Sequence, residues 1–221
     1  MAVAPDVNPS LAHPPARADT LVEPAGLPVG AAAPARPGPR ERLLRAARDL
    51  TYSRGFGVGV AAILEEADVA RRSLYQHFGG KDQLVAEVVR GSAADHERAY
   101  AQALAGAGPD PRQRLLAVFD MLDHRVADPG FRGCHFASAE LTLPSPDHPA
   151  RVESRAHKQR VRAMFEGELT ELGHPRPVLA AHQLQLLVDG VLVVGASDPA
   201  SRPARAARAL AVSVLDAHGE C

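Results

Sequence analysis

The chain has 221 residues, 46% of them apolar but only 4% aromatic and none tryptophan, so a sizeable core is available and must be built mainly from Leu, Val and Ala. That mixture favours helices. A net charge of −1 excludes binding of polyanions by bulk charge, so any nucleic-acid contact needs a local basic surface. Lys81 and Lys158 are the only lysines, and the remaining basic residues are arginines. No apolar run of about 18 residues indicates a membrane span, and the N-terminus lacks the charged start and apolar stretch of a secretory signal. The two cysteines, Cys134 and Cys221, form neither a disulfide framework nor a metal-ligand spacing. Cys134 reads as a small buried residue rather than a redox sensor, and a reducing cytoplasm is the simple setting.

Residues 1–38 are rich in Pro and Ala and have no apolar periodicity. They read as a disordered extension, with a DNA-contacting arm through Arg36 and Arg40 as the secondary reading. Helical patterning begins near Pro39. Over Arg40–Ser53, Leu43, Leu44, Ala47 and Leu50 form a stripe that leaves Arg42, Arg45 and Arg48 outside. Gly55 stops this helix. Short helices follow over Val60–Ala67 and Arg71–Phe78, joined by a turn at Asp68–Val69–Ala70, and Gly79–Gly80 separates them from a long helix starting near Lys81. Further helices are expected over Pro111–Ala127, 132–143, Pro149–Leu172 (with Val152, Val161, Met164, Phe165 and Leu169 inside), Pro177–Gly195 and 202–218. No strand-like alternation of useful length is present. The fold class is therefore all-α: an N-terminal three-helix domain over 39–82 with a helix-turn-helix, and a helical domain over 83–221.

Gly55–Lys81 is the informative stretch. Two short helices joined by a tight turn, with a first helix covering their apolar side, make a unit whose second member can enter the major groove. Arg71 and Arg72 stand in its first turn, where a guanidinium reaches guanine N7 and O6 or a phosphate. Ser73 can touch a base edge or phosphate, Gln76 a base edge or solvent, Tyr75 and His77 the backbone, and Lys81 a phosphate. Leu74 and Phe78, four apart, pack inward. Taken singly, the arginines also read as solvated surface, and Tyr75 and His77 as packing residues.

The run Arg42–Leu43–Leu44, Ala46–Ala47, Gly55–Phe56, Ile63, Ala67, Val69, Leu74–Tyr75–Gln76–His77–Phe78 and Lys81–Asp82–Gln83–Leu84 resembles the N-terminal domain of the TetR family. The Leu-Tyr-x-His-Phe-x-x-Lys ending is its specific part. Three positions depart from the pattern. Asp68 stands where the family turn has glycine. Ala70 stands where a serine caps the recognition helix, with Asp68 as an alternative cap. The Val58–Gly59–Val60 connection lacks the usual Thr. The segment Phe131–Glu140, with Arg132–Gly133–Cys134, His148–Pro149 and Asp189–Gly190, is also similar to a TetR subgroup. The resemblance implies a homodimeric, cytoplasmic regulator of a palindromic operator, without enzymatic activity or cofactor, and a repressor released by a small-molecule effector.

A helix apolar on all sides, Leu184–Val194, needs cover on more than one face, and a two-fold interface would supply it. Glu140 and Asp189 are acidic residues on apolar segments and either line an effector pocket or pair with a core cation or a histidine. Phe119, Phe136, Met121 and Phe165 are pocket-wall candidates or ordinary core. His135, His148, His157 and His182 do not have metal-site spacing. Two other classes stay open: a small helical enzyme, and a helical interaction module that has lost DNA binding.

Overall fold

Five helices of the computed structural model open on a proline, Pro39, Pro111, Pro149, Pro177 and Pro203. Its fixed φ suits a first helical turn, where its missing N–H is no loss. The structure describes residues 37–217; the 1–36 stretch with Arg36, and 218–221 with Cys221, lie outside the described residues. The elements are α1 (Pro39–Arg54), α2 (Val60–Ala67), α3 (Arg71–Phe78), α4 (Lys81–Gly106), α5 (Pro111–Val126), α6 (His135–Thr142), α7 (Pro149–Glu171), α8 (Pro177–Ser197), a 3₁₀ turn (Pro199–Ser201) and α9 (Pro203–Leu215). Among the described residues there is no strand.

Three expectations need correction. The helix expected over 132–143 starts only at His135. Gly133 sits at φ 98°, which a helix cannot contain, and Cys134 Sγ then caps the helix by accepting from Ala137 N at 3.3 Å. Val152 faces out, 49% exposed, because the buried stripe of α7 runs through Ala150, Ser154, His157, Val161, Phe165 and Leu169. By length and apolarity α8 would suffice to cross a membrane, yet 44% of its most apolar window is buried against α5, α7 and α9. It is a core helix with one open side.

Apolar packing forms three clusters, and α4 enters all of them. Leu84 and Val88 join Leu43, Leu50, Ile63, Leu74 and Phe78 of α1–α3. Val85 and Val89 meet Phe56, Phe136 and Ala150. Tyr100 and Leu104 meet Phe119, Phe165, Leu184 and Leu192 of the C-terminal helices. Close approach in this last cluster needs small residues: a Cβ on Gly195 would lie 2.6 Å from Val126 Cγ1.

The turn between α2 and α3 is closed by α1. Asp68 adopts φ 50°, ψ 55°, and its N–H donates to Glu65 O at 3.0 Å while Val69 N donates to Leu64 O at 3.1 Å, a Schellman-type ending. Arg42 Nη1 donates to Ala67 O (3.0 Å), Asp68 O (2.7 Å) and Asp68 Oδ2 (3.3 Å). This guanidinium, only 16% exposed, satisfies carbonyls that a helix end leaves open.

A polar seam lies where α1 meets the rest. His135 stacks on Phe56 with centroids 4.7 Å apart, and its Nε2 is 3.2 Å from Thr51 Oγ1. Since Thr51 donates its proton to Ala47 O, His135 Nε2 is the donor in that pair. Arg125 Nη2 donates to His96 Nε2 at 2.7 Å, which leaves the His96 proton on Nδ1. Burial, reinforced by Arg125 and the neighbouring imidazoles, holds His96 far below the ordinary 6.5, at about 3. Burial and Arg48 hold His135 at about 4. Burial also lowers His157, against the opposing pull of its Glu97 partner at 2.8 Å.

Two outcomes follow. Arg42→Met should destabilise the fold by about 1–3 kcal/mol, because the half-buried Ala67 carbonyl and the exposed Asp68 carbonyl lose their donor; urea unfolding reads this, and an unchanged midpoint would mean that water replaces the guanidinium without loss. The histidines give a pH signature. Their folded pKa values lie below the unfolded value of 6.5, so their contribution is intact above 6.5 and declines as pH falls from there toward 4 and 3. The decline is at most about 1.4 kcal/mol per pH unit for each histidine. Denaturation between about pH 7 and pH 5 should show it, and His96→Asn should flatten the slope by up to one proton; an identical slope in the variant would contradict the burial of a neutral ring.

Candidate nucleic-acid interface

The eight residues of α3 divide cleanly by burial. Leu74 and Phe78 are buried in the α1–α3 core, one turn apart. Arg71, Arg72, Tyr75, Gln76 and His77 are exposed, and Ser73 is half-buried on the flank. Arg71, Arg72, Tyr75 and Gln76, at i, i+1, i+4 and i+5, share one outward face, and His77, at i+6, is exposed outside it. Among the described residues neither arginine is held in an ion pair. Tyr75 is 54% exposed, an amphipathic ring presented to solvent.

Backbone chemistry fixes how this face is presented. Asp68 does not cap α3; it ends α2, and Ala70 occupies the N-cap without a side-chain acceptor. Ser73 N donates to Ala70 O at 2.9 Å, while the N–H groups of Arg71 and Arg72 have no acceptor among the described residues, an arrangement that suits an anion. α2 likewise starts at Gly59 without a side-chain cap. At the other end Gly79, at φ 74°, stops α3 and donates to Tyr75 O at 3.0 Å. Arg40 lies over the Phe78 ring, 5.2 Å from its centroid, and pairs with Glu87 of α4. Lys81 Nζ donates to Phe56 O at 3.0 Å. That bond ties the loop after α1 to the start of α4 and leaves the ammonium two further donors.

The four residues considered for a ligand pocket do not share one lining. Phe119 is packed in the C-terminal cluster and Phe136 in the α4–α6–α7 cluster, each about 1% exposed. Glu140 pairs with Arg151 at 3.1 Å and Arg155 at 3.6 Å. Asp189 pairs with Lys158 at 2.8 Å, and Gln185 donates to it at 3.4 Å. Their carboxylates are thus neutralised by cations of α7. Sequence reasoning missed Arg42, set outside the apolar stripe of α1, and it missed His96 and Arg125. Their partners lie 25 and 29 residues away, and no spacing rule reaches that far.

A second surface stands open on the outer side of α8 and α9. Leu179, Leu186, Val193, Val194 and Leu210 are all exposed, Leu186 by 70%. The first four are the unburied face of α8, the helix whose sequence is apolar almost all round, and Leu210 extends that face onto α9.

Comparison with known proteins agrees with this geometry. Residues 43–88 match the family model for bacterial regulatory proteins of the tetR family. The chain is 29% identical over 182 residues to the HTH-type transcriptional regulator BetI of Stenotrophomonas maltophilia, covering 80% of this chain and 91% of that protein. It is 34% identical over 98 residues to the HTH-type transcriptional repressor NemR of Escherichia coli, covering 43% of this chain and 49% of NemR. The solved structure of a TetR transcriptional regulator from Streptomyces avermitilis superposes with a TM-score of 0.74 at 34% identity, covering 82% of this chain and all of the other. The chain belongs to the TetR family of bacterial regulatory proteins; all-helical over its described residues, it is a DNA-binding transcriptional regulator and not an enzyme.

Proposed function

We propose that the chain acts in the bacterial cytoplasm as a homodimeric repressor that binds a palindromic operator and is released by a small-molecule effector. Residues 39–82 read the DNA, and residues 83–221 dimerise and hold the effector. The observation that carries the reading is the division of α3 into a buried Leu74–Phe78 side and an unpaired, arginine-tipped outer side. Arg71 and Arg72, at the open start of α3, contact base edges or phosphates. Gln76 reaches a base edge, Tyr75, His77 and Ser73 contact the sugar-phosphate backbone, and Lys81 offers its spare donors to a phosphate.

The apolar outer side of α8 and α9 supports a two-fold interface, since a self-complementary patch covers itself. Two-fold pairing is also what a palindromic site demands, with recognition helices about 34 Å apart or a multiple of that. Membership of the family and the name of NemR, a repressor, support the sign of regulation.

Selection of bound duplexes from a random pool should return a palindrome, and affinity should fall with salt in proportion to the phosphates contacted. On the selected duplex Arg71→Ala should lose about 1–3 kcal/mol and relax preference at one position of each half-site. Leu186→Arg should yield a monomer with loss of operator affinity. A non-palindromic pool, or full affinity in both variants, would reject the proposal.

A further inference from the structure

The polar seam between α1 and the C-terminal helices opens into a cleft of about 290 Å³. Arg48 and Tyr52 of α1, Ser92 and His96 of α4, Arg125 in the last turn of α5, and His135 at the start of α6 line it. Two carboxylates also face it. Asp95 is taken by Arg48 and Arg98 together, and Asp49 stands exposed on α1. Arg125 differs from Arg48, the other cleft cation. Its one hydrogen-bond partner among the described residues is the acceptor nitrogen of His96, and no carboxylate there lies within ion-pair distance of it. Its Nε is buried with no partner at all. A half-buried guanidinium beside a neutral ring, with an idle donor and no ion pair among the described residues, is open to an anion.

We propose that this cleft binds a small organic carboxylate, held by Arg125, that ties α1 to α5. A planar guanidinium accepts a carboxylate through paired N–H donors, and the Ser92 hydroxyl, the Tyr52 ring and the two imidazoles bound the remaining space. The volume is near the lower end of the roughly 300–1,000 Å³ typical of ligand clefts, so the ligand is a small one. His96, neutral down to about pH 3, adds no charge of its own, so the attraction for the anion comes from the guanidinium. The wall built by α1 belongs to the DNA-reading head and the Arg125 wall to the remainder, so occupancy bears on how the head is held. That consequence, though not the binding itself, rests on the regulator reading above.

The test uses the full chain, calorimetry, and the probes acetate and benzoate, each set against its neutral amide and against inorganic phosphate. A carboxylate should bind saturably, its amide should not, and Arg125→Gln should weaken binding by about tenfold or more while Arg125→Lys keeps part of it. In the unaltered chain the His96 and His135 ring resonances should move on titration, and that of His174, bonded to Val214 O, should not; this readout holds even if Arg125→Gln fails to fold. Saturating carboxylate should weaken binding to the selected operator by about fivefold or more, and operator should weaken carboxylate binding by the same factor. No carboxylate binding, equal binding of the amide, unmoved His96 and His135 resonances, or phosphate binding tighter than either carboxylate would overturn the site. Carboxylate binding in a chain that selects no operator would instead reject the regulator reading and leave the site standing.

Discussion

Each of the three apolar clusters of the described chain takes residues from one helix, α4. At about 1.5 Å per residue the 26 residues of α4 span roughly 39 Å; its N-terminal half divides its buried residues between two clusters, and its C-terminal half enters the third. The head has no other long element, since α1 has 16 residues and α2 and α3 have eight each. Its orientation is therefore set by how Leu84, Val85, Val88 and Val89 seat against α1–α3 and Phe56. The ion pairs that cross from α1 to α4, Arg40–Glu87 and Arg48–Asp95, are half-exposed. Pairs of that kind contribute little each, so they trim an angle that apolar packing has already set.

The seam beside Thr51, His96, Arg125 and His135 is a different kind of contact. An apolar interface between α1 and α4 resists sliding because any shift opens voids. A polar seam can exchange one hydrogen-bond partner for another, at a cost set by how well the new partner fits. Such a seam is where a ligand acts most directly, because a two-state element shifts only by the ligand's differential affinity for its states. The seam sits on the α1 side of α4, opposite in function to the C-terminal cluster, where Gly195 admits Val126 so closely that no added methyl would fit. One part of the molecule is jammed and the other adjustable, and α4 runs through both.

Much of this was legible in the amino-acid sequence, for local reasons. Proline starts, glycine stops and 3.6-residue periodicity placed all nine described helices, six of them to within a residue or two at each end. The outward face of α3 follows from Leu74 and Phe78 alone. Asp68, weighed in the sequence as a cap of α3, instead ends α2 in the left-handed turn that glycine usually makes, and the grip of Arg42 on its carbonyl and carboxylate comes from another helix, which no local spacing reveals. Val152 was misassigned because α7 packs along a stripe of Ala, Ser and His, which periodicity of large apolar residues does not reveal. The His96–Arg125 pair leaves no trace in spacing at all: it exists only because α4 and α5 cross there.

The two exposed surfaces bear on each other through the same rod. The polar face of α3 and the apolar face of α8 and α9 are chemically unlike, so neither substitutes for the other. A dimer held by α8 and α9 fixes the C-terminal cluster about a symmetry axis, and each α4 then extends from that cluster to a head. For two heads to fit one duplex, both copies of α4 must leave their cluster at matching angles. A small change of tilt at the seam is magnified by the length of the helix before it reaches α3. A change in where α3 is carried would need no remodelling of α3 itself, because its two buried anchors, Leu74 and Phe78, tie it to the packed core of the head.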